Sequence, residues 1–144
     1  MALPGGQVLA FKGDAGTIDG RSGQDVTIID RAFIGNPMPR GFAFGGIGPR
    51  DFVDGSVDTA LGGNSYLTPF VQVRFNTPSP KVTVGVFADA GGAVDDTYDL
   101  RTSVGLSVYW DTQIGVVQLN LANPVSKKPP DKVEHLSVNR NFQF

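Results

Sequence analysis

Leu100-Arg101-Thr102-Ser103-Val104-Gly105-Leu106-Ser107-Val108-Tyr109-Trp110 decides the fold class. Thr102, Val104, Leu106, Val108 and Trp110 share one parity and Arg101, Ser103, Gly105, Ser107 and Tyr109 the other, the period of two that a β-strand imposes on its faces. The rule holds on both sides of this stretch. Upstream, Lys81 to Gly91 sets Val82, Val84, Val86 and Ala88 against Lys81, Thr83, Gly85, Phe87 and Asp89. Leu67 to Phe75 sets Val71, Val73 and Phe75 against Gln72 and Arg74. Near the N-terminus, Leu9, Phe11 and Ala15 oppose Lys12 and Asp14. Downstream, Val117, Leu119 and Leu121 oppose Gln118, Asn120 and Ala122, and Leu136, Val138, Phe142 and Phe144 oppose Ser137, Asn139, Asn141 and Gln143. Six strands result, and the class is all-β.

The second face decides what kind of sheet they make. A water-washed sheet usually carries Lys, Glu and Thr there, whereas this one carries Ser, Asn, Gln, Gly, Thr, Tyr and a few charges, which suits a wet lumen. The apolar face is nearly free of charge and holds Trp110, Phe142 and Phe144 at or near strand ends. The Ser79-Pro80 and Gln113-Ile114 turns are short, while the connections at 20–58, 92–99 and 126–132 are longer. Apolar-out, polar-in alternation with aromatic girdles and short turns alternating with long loops predicts an antiparallel transmembrane β-barrel. No run of about 20 apolar residues exists for a spanning helix, but a barrel strand needs only about 9–11 residues. A soluble sandwich would instead bury the apolar faces in its core.

Composition removes several functions. The chain has 144 residues, 12 basic against 14 acidic, no cysteine and one histidine, His135. A disulfide framework and a thiolate metal site are excluded, a catalytic triad would hang on His135, and a net charge of -2 offers no footprint for nucleic acid. Asp95, Asp96 and Asp99 lack EF-hand spacing and read as a solvated loop. Gly45-Gly46-Ile47-Gly48 lacks the Lys-Ser/Thr of a phosphate loop and reads as a turn. Neither a cofactor, a metal nor an enzymatic activity is expected. Met1 to Gly6 lacks the basic and apolar regions of a secretory signal, so any export signal would lie elsewhere.

The 20–58 connection is too long for a compact domain. It carries Phe33, Ile34, Met38, Phe42, Phe44, Ile47 and Phe52, too apolar for a disordered tract, and is expected to pack inside something. Its segment Met38-Pro39-Arg40-Gly41-Phe42-Ala43-Phe44-Gly45-Gly46-Ile47-Gly48-Pro49-Arg50-Asp51 resembles the Arg-Gly-Phe loop of the outer-membrane assembly insertases, the BamA family within the bacterial surface antigen superfamily. Ala60-Leu61-Gly62-Gly63-Asn64 is similar to that family's loop-to-strand junction, and Phe87-Ala88-Asp89-Ala90-Gly91 to its Phe-x-Asp-x-Gly strand. The terminal Phe144, on one strand face with Phe142, resembles the signal by which such barrels are themselves recognised.

The resemblance implies a barrel of sixteen strands whose long loop folds back into the lumen. Residues 1–144 match its C-terminal part, with upstream strands and POTRA repeats absent. It implies that Arg40 reaches Asp89 on the inner wall, with Phe87 and Gly91 in the same motif. Many relatives place a second acid on the preceding strand, where this chain has Gln72 and Arg74, so Arg74 is a potential competitor for Asp89. Arg140 points outward by parity, where an arginine near the midplane costs about 2–4 kcal/mol. The implied function is to fold and insert β-barrel proteins at the bacterial outer membrane, with the seam opening so that the last strand templates an incoming one. The implied partners are membrane lipid, unfolded outer-membrane barrels, and other assembly subunits docking through regions outside this chain. The alternatives are a two-partner-secretion or translocation pore of the same superfamily, or a soluble β-sheet binding module.

Overall fold

The computed structural model describes residues 1–3, 5–20, 24–53, 56–94 and 100–141. Among them the strands are β1 (Ala2–Leu3), β2 (Gln7–Thr17), β3 (Gly41–Phe42), β4 (Arg50–Val53), β5 (Ser56–Ala60), β6 (Ser65–Asn76), β7 (Val82–Val94), β8 (Arg101–Thr112), β9 (Gly115–Ser126), β10 (Val133–Glu134) and β11 (Leu136–Asn141). The six long strands form an antiparallel meander in the order β2-β6-β7-β8-β9-β11, with β1 paired on the outer edge of β2. No helix among the described residues is long and apolar enough to cross a membrane. Asp95, Asp96, Asp99, Phe142, Gln143 and Phe144 lie outside the described residues.

Burial is inverted relative to a water-soluble sheet. Phe87, Asp89, Ser103, Ser107, Asn120 and Ser137 are all 5% exposed or less, whereas Leu106, Leu121 and Val138 are 55%, 58% and 51% exposed. In a sandwich the second group would be the core; here none of the described residues covers it, and the polar parity is the enclosed one. The expected partition follows from register. In lipid, spin labels at Val82, Val84, Val104, Leu106, Val117 and Leu119 should be quenched by lipid-soluble reagents, and labels at Thr83, Ser103, Ser107, Gln118 and Asn120 by water-soluble ones. Equal quenching of both sets would refute the assignment.

Register also places Arg140. Val82, Trp110, Val117 and Arg140 lie in one row across four strands, on the exposed outer face. The Thr112–Gly115 turn begins two residues beyond Trp110, about 7 Å at the usual strand rise. Arg140 therefore stands near the strand ends, in the same row as Trp110 and two strands from it, rather than at the midplane, and there the cost falls to about 0–1 kcal/mol.

The long connection leaves β2 and returns to β6 at adjacent positions, because Thr17 pairs with Ser65. It is not irregular throughout: a 3-10 turn spans Ile28–Asp30, and β4 and β5 form a hairpin. Ile34, Phe42 and Ile47 pack with Ala93 into a small cluster flanked by Ala32 and Tyr66. The loop packs through Ile34, Phe42 and Ile47, while Phe44 is 73% exposed and stacks on Phe33 with ring centroids 6.3 Å apart. Gly62 and Gly63 close the return: Ala32 and Gly63 exchange both backbone hydrogen bonds at 2.9 Å.

Candidate functional site: the docked lumen loop

The site begins with a turn. Met38 N–H donates to the Gly35 carbonyl at 2.8 Å and Asn36 N–H to the Phe42 carbonyl at 2.8 Å, which folds residues 35–42 back and presents Arg40 to the polar parity of β7. There Nε of Arg40 donates to Oδ2 of Asp89 at 2.7 Å and Nη2 donates to Oδ1 at 2.7 Å, a two-pronged pair. The Arg40 backbone N–H adds a third bond to Oδ2 at 3.0 Å. Nη1 donates to Ser107 Oγ at 3.0 Å, and the Arg40 carbonyl accepts from Ser103 Oγ. The guanidinium carbon lies 3.4 Å from the Phe87 ring centroid and 5.7 Å from that of Phe70.

These side chains are enclosed, Arg40 at 3% and Asp89 at 0% exposure. Removing two charges from water costs several kcal/mol each, which is recovered only when geometry and hydrogen bonding are close to complete. Here they are: the carboxylate accepts three bonds, the guanidinium fork is met edge-on, and an aromatic face covers the cation. The pair thus provides a directional anchor as much as attraction.

The flanking residues explain why the motifs read as they do. Gly91 is required by close approach, since a Cβ there would stand 2.6 Å from Cδ and 2.8 Å from Cγ of Pro39. Gly41 has φ of +95° and faces Ala122 and Ser103, so a side chain would be both strained and crowded. Phe42 is fully buried. Arg40, Gly41 and Phe42 therefore supply anchor, turn and plug, while Phe87, Asp89 and Gly91 supply platform, counter-charge and clearance on one face of β7.

Arg74 does not compete for Asp89. Its guanidinium carbon lies 4.5 Å from the Tyr109 ring centroid, and Tyr109 Oη donates to Gln72 Oε1 at 2.9 Å. Ser107, on β8, is the additional acceptor for Arg40. Sequence reasoning missed Ser103 and Ser107 as loop partners, although their parity was legible. It also missed a second enclosed ion pair: Arg101 Nε donates to Asp131 Oδ2 at 2.5 Å, and Lys128 N–H donates to the same oxygen at 2.6 Å. This pair fastens the 127–132 loop to the start of β8. His135 lies immediately before β11, its Nδ1 3.0 Å from the Ala122 carbonyl oxygen.

The loop is also held by its backbone. β3 pairs with β10, Phe42 opposite Val133 and Gly41 opposite Glu134. Ala43 N–H donates to the Lys132 carbonyl at 2.9 Å, Lys132 N–H to the Gly46 carbonyl at 3.0 Å, and Asn36 Nδ2 to Glu134 Oε2 at 3.2 Å. Beneath the loop lies a polar cavity of about 540 Å³, with Lys12, Gln72, Arg74 and Tyr109 among its walls. Among the described residues no group of three His, Asp or Glu is placed to hold a metal ion.

The family model of the Omp85 superfamily domain matches residues 5–144. The chain belongs to the Omp85 superfamily. Membership places it in the bacterial outer membrane and accounts for the inverted burial. Among curated proteins it is similar to the outer membrane protein assembly factor BamA of Neorickettsia risticii, 36% identical over 139 residues, covering 88% of this chain and 18% of the relative. It is also similar to BamA of Neisseria meningitidis serogroup B, 27% identical over 138 residues, covering 73% of this chain and 17% of that protein. The crystal structure of BamA from Haemophilus ducreyi lacking POTRA domains 1–3 superposes with a TM-score of 0.80 at 22% identity, covering 92% of this chain and 30% of the other. This Omp85 segment therefore spans less than a fifth of the length of both curated relatives.

Proposed function

We propose that this segment is the C-terminal part of an outer-membrane assembly factor, the portion of an insertase barrel that carries the docked loop and the strand offered to incoming substrates. The observation that carries the reading is the docked Arg-Gly-Phe loop, held on Asp89 of β7 by a two-pronged pair and paired through β10 with the residues that enter β11. In this reading β11 offers its backbone N–H and C=O groups as a template for another strand when the seam opens. In this reading the substrates are unfolded outer-membrane barrels, the lipid bilayer faces the apolar parity, and other assembly subunits dock through regions outside this chain. The two curated relatives, both named as outer membrane protein assembly factors, support it over a secretion pore.

The test uses the full-length protein in phospholipid vesicles with an unfolded β-barrel substrate. Faster acquisition of protease-protected substrate, together with crosslinks from a cysteine at Val138 to a substrate strand, is the expected result. Transport of a soluble polypeptide across the vesicle without accelerated barrel folding would overturn the reading in favour of a pore.

A further inference from the structure

The anchor of the loop and the last strand are joined by a continuous line of enclosed side-chain hydrogen bonds. Arg40 Nη1 donates to Ser107 Oγ at 3.0 Å, Ser107 Oγ donates to Asn120 Oδ1 at 2.7 Å, and Asn120 Nδ2 donates to Ser137 Oγ at 3.3 Å. Gln118 Nε2 donates to the same Asn120 oxygen at 2.7 Å. Asn120 is 0% exposed, Ser107 1% and Ser137 5%. The three residues share one row of the sheet, Ser107 opposite Asn120 and Asn120 opposite Ser137. The donors all run one way. The guanidinium occupies a lone pair of Ser107, so the serine proton is directed to Asn120, and the amide so oriented turns its N–H toward the last strand.

We infer that Asn120 is a positioning residue that couples loop docking to the hold of the sheet on its last strand, so that Ser137 of β11 is fastened more firmly when Arg40 is seated than when it is not. A chain of hydrogen bonds in an enclosed site polarises along its length, and losing the charged donor at one end weakens each bond downstream. Water does not replace the lost donor cheaply, because the intervening atoms are enclosed. The coupling is reciprocal: the factor by which seating Arg40 favours the fastening of Ser137 equals the factor by which fastening Ser137 favours the seating of Arg40. The inference rests on the proposed role of β11 only for its biological meaning; the coupling itself is a property of the docked barrel. A direct backbone route also exists through β3 and β10, and the experiment separates the two.

Amide hydrogen exchange of the full-length protein in phospholipid vesicles reads both ends. Ser137→Ala removes one hydroxyl and leaves the backbone ladder intact. It should speed exchange in the distant Gly41–Phe42 segment up to about two-fold, the fraction of one enclosed hydrogen bond that polarisation passes along the line, and Ser137→Thr should restore most of the protection. Arg40→Ala should speed exchange across Val138–Asn141 by a similar factor, and this effect should largely vanish in a background of Asn120→Ala. If Ser137→Ala leaves Gly41–Phe42 unchanged, or if Arg40→Ala loosens β11 equally with and without Asn120, the side-chain line carries no coupling and the inference is overturned. Substrate-folding assays are not part of the readout, so failure of the insertase reading would leave this result standing, and the reverse.

Discussion

Arg40→Lys is expected to release the lumen loop nearly as completely as Arg40→Ala. Lysine keeps the charge but cannot meet both oxygens of Asp89 edge-on, cannot reach Ser107 with the same group, and lies less well on the Phe87 ring. Each replacement leaves Asp89 enclosed without its bidentate partner, a change that costs about 3–5 kcal/mol when a buried pair is broken from one side. The measurement is native-state proteolysis of residues 33–48 in the full-length protein, whose rate follows the open population when opening is fast. Arg40→Ala and Asp89→Asn, singly and together, supply the coupling energy. Strong non-additivity is the expected outcome. Clean additivity would show that the two side chains act independently, and the observed 2.7 Å contacts would then contribute little.

Phe42→Ala should be comparably disruptive, about 3–5 kcal/mol, by a different route. Phe42 is fully enclosed among Ile34, Ile47 and Ala93, and truncation removes both its transfer free energy and its contacts, leaving a cavity. Phe42→Leu should recover more than half of the loss. The proteolysis assay applies again. A Phe42→Ala protein with wild-type loop protection would mean that the polar anchor suffices and the apolar cluster merely fills space.

The fold was legible because a membrane strand displays its environment on alternate residues. Val104, Leu106 and Val108 against Ser103, Gly105 and Ser107 give the orientation of β8 directly, and the shortness of the turns at residues 77–81 and 113–114 pairs β6 with β7 and β8 with β9. The loop was less legible. Apolarity at Ile34, Phe42 and Ile47 announces a packed loop but does not distinguish them from Phe44, which points away, because a loop has no fixed period. The Asp54-Gly55 dipeptide between β4 and β5 is a hairpin signal that sequence reasoning overlooked, whereas the β3–β10 pairing is set by tertiary placement, because two-residue strands leave no pattern to read. Asp131 was hidden by its company, since an acid between Pro130 and Lys132 in a basic loop looks solvated. Only the fold brings Arg101 beneath it.

The return of the long loop beside its own point of departure has a thermodynamic consequence. Thr17 and Ser65 are adjacent strand partners, their hydroxyl oxygens 3.0 Å apart, and Ile18 N–H donates to the Asn64 carbonyl at 2.7 Å. Pairing of β2 with β6 therefore meets the closure entropy of the excursion whether or not the loop is seated, and that entropy rises only slowly with loop length. Seating then becomes an intramolecular binding event at high effective concentration. Because both ends enter from the same rim, the loop can lift away and reseat without threading and without breaking a rung between β2 and β6. Its occupancy of the lumen is an equilibrium separable from the integrity of the wall, tunable by single residues such as Arg40 while the membrane-spanning sheet stays intact.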